Sequence, residues 1–74
     1  MALSELSIGD VKIVYKVGAD VKTQRFLQNV GLMPGVGVRV VAKVGKNMII
    51  SVKNTRLAMD KTLAEAITVT EEEE

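Results

Sequence analysis

A proline followed by glycine, set between two aliphatic runs, leaves the backbone few choices. Pro34-Gly35 does this inside Arg25-Phe-Leu-Gln-Asn-Val-Gly31-Leu-Met-Pro34-Gly35-Val-Gly-Val-Arg39. Proline presets φ and glycine accepts φ > 0, so the pair predicts the centre of a type II turn. Upstream, Leu27 and Val30 share one helical face, and Gly31 follows them. A glycine there predicts a left-handed cap on the last helical turn, a motif that brings Leu27 against Leu32. Downstream the pattern switches to alternation. Val36, Val38, Val40, Ala42 and Val44 take one face of a strand, and Gly37, Arg39, Val41 and Lys43 take the other. Gly31, Leu32, Pro34 and Gly35 therefore form a structural elbow joining a helix to a strand.

The flanks follow from the elbow. Leu3 and Leu6 are spaced to lay one helical turn over the core, and Gly9-Asp10 predicts a turn. Val11 to Val17 reads V-K-I-V-Y-K-V, which places Val11, Ile13, Tyr15 and Val17 inward on a first strand. Asp20 predicts the N-cap of a helix from Val21 to Val30. Past the elbow, Val36 to Val44 faces Met48 to Lys53. A three-residue loop, Gly45-Lys46-Asn47, would pair Val44 with Met48, Ala42 with Ile50 and Val40 with Val52, keeping inward residues opposite inward ones. Asn54-Thr55 turns into a fourth strand, Arg56 to Met59. Asp60 predicts the cap of one more helical turn, and Ile67-Thr-Val69 closes as a fifth strand. The expectation is a mainly β, five-stranded antiparallel barrel with a helix inserted between strands 1 and 2.

The chain's 74 residues predict one domain over 1–70, followed by an acidic tail, Glu71 to Glu74. Without the tail, ten basic and five acidic residues leave a body of +5, which raises acidic partners, nucleic acid included. With no Cys and no His, the usual nucleophile and proton-transfer pairs are missing, so no catalytic residue is assigned and no enzyme is expected. Ser4, Ser7 and Ser51 lack a base partner, and Asp10, Asp20 and Asp60 suit turns and caps. No metal site is expected either: imidazole is absent, and Met48 and Met59 have strand parity. No cofactor or small-molecule substrate is predicted. No apolar run is long enough to span a membrane and the start lacks the pattern of a signal peptide, so a cytosolic protein is expected.

Together these pieces resemble the FeoA family of bacterial ferrous-iron transport accessory proteins. The matching residues are Leu3-Ser-Glu-Leu6 with Gly9, then Gly31-Leu32-Met33-Pro34-Gly35 followed by Val38 and Val40. Val52, Arg56-Leu-Ala-Met59 and Ile67-Thr-Val69 complete the order across residues 3 to 69. The resemblance implies an SH3-like barrel and action beside FeoB, a membrane permease with a cytosolic G-protein domain. Similar domains form the C-terminal part of iron-dependent repressors, so the fold alone does not fix the partner. The alternative is a small basic barrel that binds nucleic acid, disfavoured here because Tyr15 has inward parity and Phe26 lies on the helix, leaving few stacking platforms.

Three apolar residues have no place inside such a barrel. Val41 and Ile49 fall on the outward face as diagonal neighbours, and Met33 sits beside the inward-turning Leu32. Met33, Val41 and Ile49 are therefore the candidate partner-binding residues, with the inserted helix as the competing cover for Val41 and Ile49.

Overall fold

The structure, a computed structural model, describes residues 1–70; the acidic run Glu71 to Glu74 lies outside the described residues. A single 3-10 turn, Leu3–Glu5, leads into β1 (Val11–Val17), α1 (Val21–Asn29), β2 (Gly37–Val44), β3 (Asn47–Val52), β4 (Thr55–Asp60), α2 (Lys61–Ala66) and β5 (Ile67–Val69). The strands form one antiparallel sheet in the order β4-β3-β2-β1-β5. The 3-10 turn packs against α2 and β5, and α2 against β3, β4 and β5. Leu3, Leu6, Leu27, Leu32, Ile50, Ile67 and the inward valines make the core, and every buried residue described is apolar.

Local chemistry sets each boundary. Asp20 accepts a hydrogen bond from the Thr23 N–H at 3.1 Å and starts α1. Asp60 does the same for Leu63 at 2.9 Å and starts α2. At the end of α1 the Leu32 N–H donates to the Leu27 carbonyl (2.8 Å) and the Gly31 N–H to the Gln28 carbonyl (3.0 Å). That is the Schellman pattern, with Val30 as C-cap rather than last helical residue. Leu27 and Leu32 are both fully buried. Gly31 has φ +97° and Gly35 φ +94°, and the Val36 N–H donates to the Met33 carbonyl at 3.2 Å across the Pro34-Gly35 turn.

Two expectations fail, one in strand phase and one in loop length. In β1 the inward residue is Val14, while Val11, Ile13 and Tyr15 are exposed. Alternation gave the wrong phase because five of this strand's seven residues are apolar and both faces read as hydrophobic. The elbow decides between them. The Val14 N–H donates to the Val36 carbonyl, and the Val14 carbonyl accepts from the Gly35 N–H, holding Val14 under the turn. Against β5 the register then shifts between Val14 and Lys16, so Tyr15 is the extra residue and Val17 turns inward again.

The β2–β3 hairpin is likewise corrected. Its loop is the two-residue Gly45-Lys46, with Val44 opposite Asn47 and Lys43 opposite Met48. Gly45 carries φ +60°, as the first central residue of a type II′ turn requires. A shift between Val40 and Ala42 restores the phase. Val40 pairs with Ile50 and Val38 with Val52, all four buried. Val41 is the added residue. Beyond it Ala42 faces outward opposite Ile49, and Val44 is exposed. Inward residues still oppose inward ones at Val40 and Val38, because the bulge at Val41 supplies the residue that the two-residue loop lacks.

Candidate functional site

Met33 lies at the elbow, half-buried, on one wall of a cleft of about 230 Å³. The β1 bulge supplies a further part of its lining. By inserting Tyr15 it turns that ring outward, 67% exposed, and sets Lys16 and Val17 beside it. Pro34 continues the Met33 wall, and buried Leu32 lies at its base. The third side is α1, through Gln24 and Gln28, one turn apart. The Gln24 side-chain amide donates to the carbonyls of Val17 (3.0 Å) and Ala19 (2.8 Å). This ties the first turn of α1 to the end of β1. The result is a shallow trough with an aromatic ring, a thioether, a proline and two amide side chains.

Val41 and Ile49 are elsewhere. Four residues of β2, about 13 Å, separate Val41 from Gly37 at the elbow end of the strand, and Ile49 pairs with Ala42 beyond it. Both are half-buried on the outer face of the sheet. The three candidates thus fall on two surfaces, and Met33 alone lines the cleft. Tyr15, Gln24 and Gln28 were not singled out from sequence. The Gln-x-x-x-Gln spacing on α1 is the available signal, whereas the wrong strand phase hides Tyr15.

A second hollow, of about 160 Å³, opens between the β2–β3 tip and α2, with Lys43, Lys46 and Lys61 at its rim and Met48 and Ala64 in its lining. Both hollows are smaller than the roughly 300–1,000 Å³ that encloses a small-molecule ligand. Among the described residues no three Asp or Glu side chains come together to hold a metal ion. Nor is any helix among them long and apolar enough to cross a membrane. Among the described residues, Asp20 is the one titratable group clearly displaced: hydrogen bonds from the Thr23 side chain and backbone hold its carboxyl below the ordinary value of 3.8.

Five antiparallel strands, a helix between the first two and a capping 3-10 turn define a small SH3-like module. The chain belongs to the FeoA family, whose domain model matches residues 1–71. It is similar to the FeoA protein of Chlorobium tepidum (34% identity, 93% of this chain and 68% of that one, TM-score 0.89). A crystal structure described as an iron uptake regulatory protein, FeoA, shares 33% identity over 93% of both chains, with TM-score 0.83. A zinc-complexed FeoA from Stenotrophomonas maltophilia, described as a prokaryotic SH3 domain protein, shares 32% identity over 95% of this chain and 89% of that one, TM-score 0.83. A comparison with curated proteins finds no match. Membership associates the chain with iron uptake.

Proposed function

We propose that this chain is a non-enzymatic adaptor of ferrous-iron uptake that docks on the cytosolic part of a FeoB-type permease through the cleft beside Met33. The observation that carries this reading is the cleft itself. Tyr15, Met33 and Pro34 offer apolar surface to solvent beside Gln28 and Lys16, the mix of an apolar centre and a polar rim found where proteins bind peptides. The family supplies the iron-uptake setting, and the S. maltophilia relative is described as a candidate ferrous-iron transport activating factor. The test is Met33→Asp. Thermal stability should change little, because Met33 is only half-buried, while co-purification with the permease is lost. Unimpaired binding would remove Met33 from the docking surface, and unfolding would place it in the core.

A second reading gains from the structure. Tyr15 and Phe26 are both exposed, at 67% and 55%, so the argument from missing stacking platforms against nucleic-acid binding no longer stands. The two rings do not work together, however. Phe26 is two residues from both Gln24 and Gln28, which puts it about 160° from each, on the opposite face of the helix. Without adjacent rings, binding to single strands would rest on phosphate contacts. It should fall steeply with salt and show no sequence preference. A sequence-specific complex stable at physiological salt would promote this reading over the first.

A further inference from the structure

The two edges of the sheet are treated differently. Outside β5 runs the start of the chain: the Val69 N–H donates to the Met1 carbonyl at 2.8 Å, and Ala2 bridges Thr68. Outside β4, among the described residues, no strand or loop pairs with the backbone of Thr55 to Met59. The loop Lys53-Asn54 joins Val52 to Thr55 as an adjacent pair, so the turn bond runs between those two residues. Alternation along the ladder then makes Ile50–Leu57 and Met48–Met59 the mutually bonded pairs. Arg56 and Ala58 therefore point both their N–H and C=O groups away from β3, toward solvent, and Asp60 its N–H, while the Asp60 carbonyl opens the hydrogen-bond ladder of α2 as its N-cap.

We infer that β4 pairs with β4 of a second copy of this chain, antiparallel and centred on Ala58. Read in that register, Thr55-Arg-Leu-Ala-Met-Asp60 is its own complement. Arg56 faces Asp60 of the other copy, Leu57 faces Met59, and Ala58 meets Ala58 on the two-fold axis. The pairs repeat across the axis, as an isologous interface demands. Faces match too. Ala58 pairs with outward Ile49, and Met59 with buried Met48, so charged residues meet outside and apolar residues inside. Asp60 is exposed, and its cap bond to Leu63 engages Oδ1, leaving Oδ2 for the partner's Arg56.

Other registers are poorer: centring on Leu57 or Met59 keeps the faces but sets Arg56 or Asp60 opposite Ala58, with no ion pair. A one-residue slip sets outward side chains against inward ones. Centring on Arg56 stacks two guanidinium groups, and like charges directly opposite repel. Centring on Asp60 runs the pairing into α2. The contact leaves the cleft at Met33 open on both copies, because none of its lining residues lies in β4. The assembly is bivalent.

Sedimentation equilibrium of the full chain at low ionic strength, over a series reaching about 1 mM, tests this. The chain should dimerise, and Arg56→Asp should weaken the dimer about tenfold or more by opposing Asp to Asp60 at both pairs. Ala58→Pro should abolish it, since the N–H lost is not one bonded to β3. Lys46→Asp makes the same charge change at the hairpin tip and should leave the dimer intact; circular dichroism checks each variant's fold. A chain monomeric throughout the series overturns the inference. So does a dimer unaffected by Arg56→Asp or Ala58→Pro, or one lost equally with Lys46→Asp.

Discussion

Gly35 shows how one residue can set a fold by conformation alone. Its φ is +94°, and a Cβ added there would meet nothing within 4 Å, so any cost of substitution is backbone strain. Gly31, at φ +97°, would bring a Cβ to 3.5 Å from the Lys53 stem, an ordinary contact, so the same reasoning holds. Replacing either by Val should cost about 1–3 kcal/mol, read as a lower urea midpoint. Gly35→Asn should cost less than Gly35→Val, because Asn tolerates this position of a type II turn. Equal losses would mean the cost is steric. Asp20 makes a pH prediction at the same scale. Its folded pKa lies below its ordinary value of 3.8, so its stabilising share is complete above the unfolded pKa. That share disappears as pH falls through the folded value. Asp20→Asn, which keeps a capping oxygen, should flatten that part of the acid-stability curve and leave stability near neutral pH close to unchanged.

Among the elements, what could be read from sequence divides by the range of the interaction that decides it. Both helix caps, the first turn and the elbow are settled by residues within a few positions of one another, and Asp20, Asp60 and Gly31 announced them. Strand phase is settled across strands. The V-K-I-V-Y-K-V run of β1 offers apolar residues to either face, and only the elbow, holding both backbone groups of Val14, selects one. The β2–β3 loop was misjudged because a bulge at Val41 looks like nothing in sequence: no glycine or proline marks it. The cleft suffered accordingly. Met33 is legible through the elbow, whereas Tyr15 reads as core, and Val41 and Ile49 lie on a surface apart from the cleft. Paired substitutions in β1 check the corrected phase. Val14→Ala removes a fully buried side chain and should cost about 2 kcal/mol. Tyr15→Ser should stay within about 0.5 kcal/mol, as at other exposed positions. The opposite ranking would restore the alternation reading and dismantle the cleft.

For the whole molecule the question is whether a domain from an iron-uptake family can itself hold iron. Residues 1–70 contain five carboxylates, Glu5, Asp10, Asp20, Asp60 and Glu65, and no His or Cys. Four of the five already have structural partners. Asp10 accepts from the Ser7 N–H at 2.9 Å, Asp20 and Asp60 cap helices, and Glu65 pairs with Lys61 at 3.9 Å. Among the described residues no three of them converge. Ferrous iron favours imidazole alongside carboxylate, and a lone surface carboxylate competes poorly with water for it. The basic balance of the body, +5 over residues 1–70, works against a cation as well. Anaerobic calorimetric titration with ferrous iron should therefore show no stoichiometric site in the chain truncated after Thr70. The full chain should show at most weak binding that depends on Glu71 to Glu74 and fades with added salt, as screened surface charges do. A one-to-one site surviving the truncation would require ligands that these residues do not assemble, and would make the domain an iron carrier instead of an adaptor.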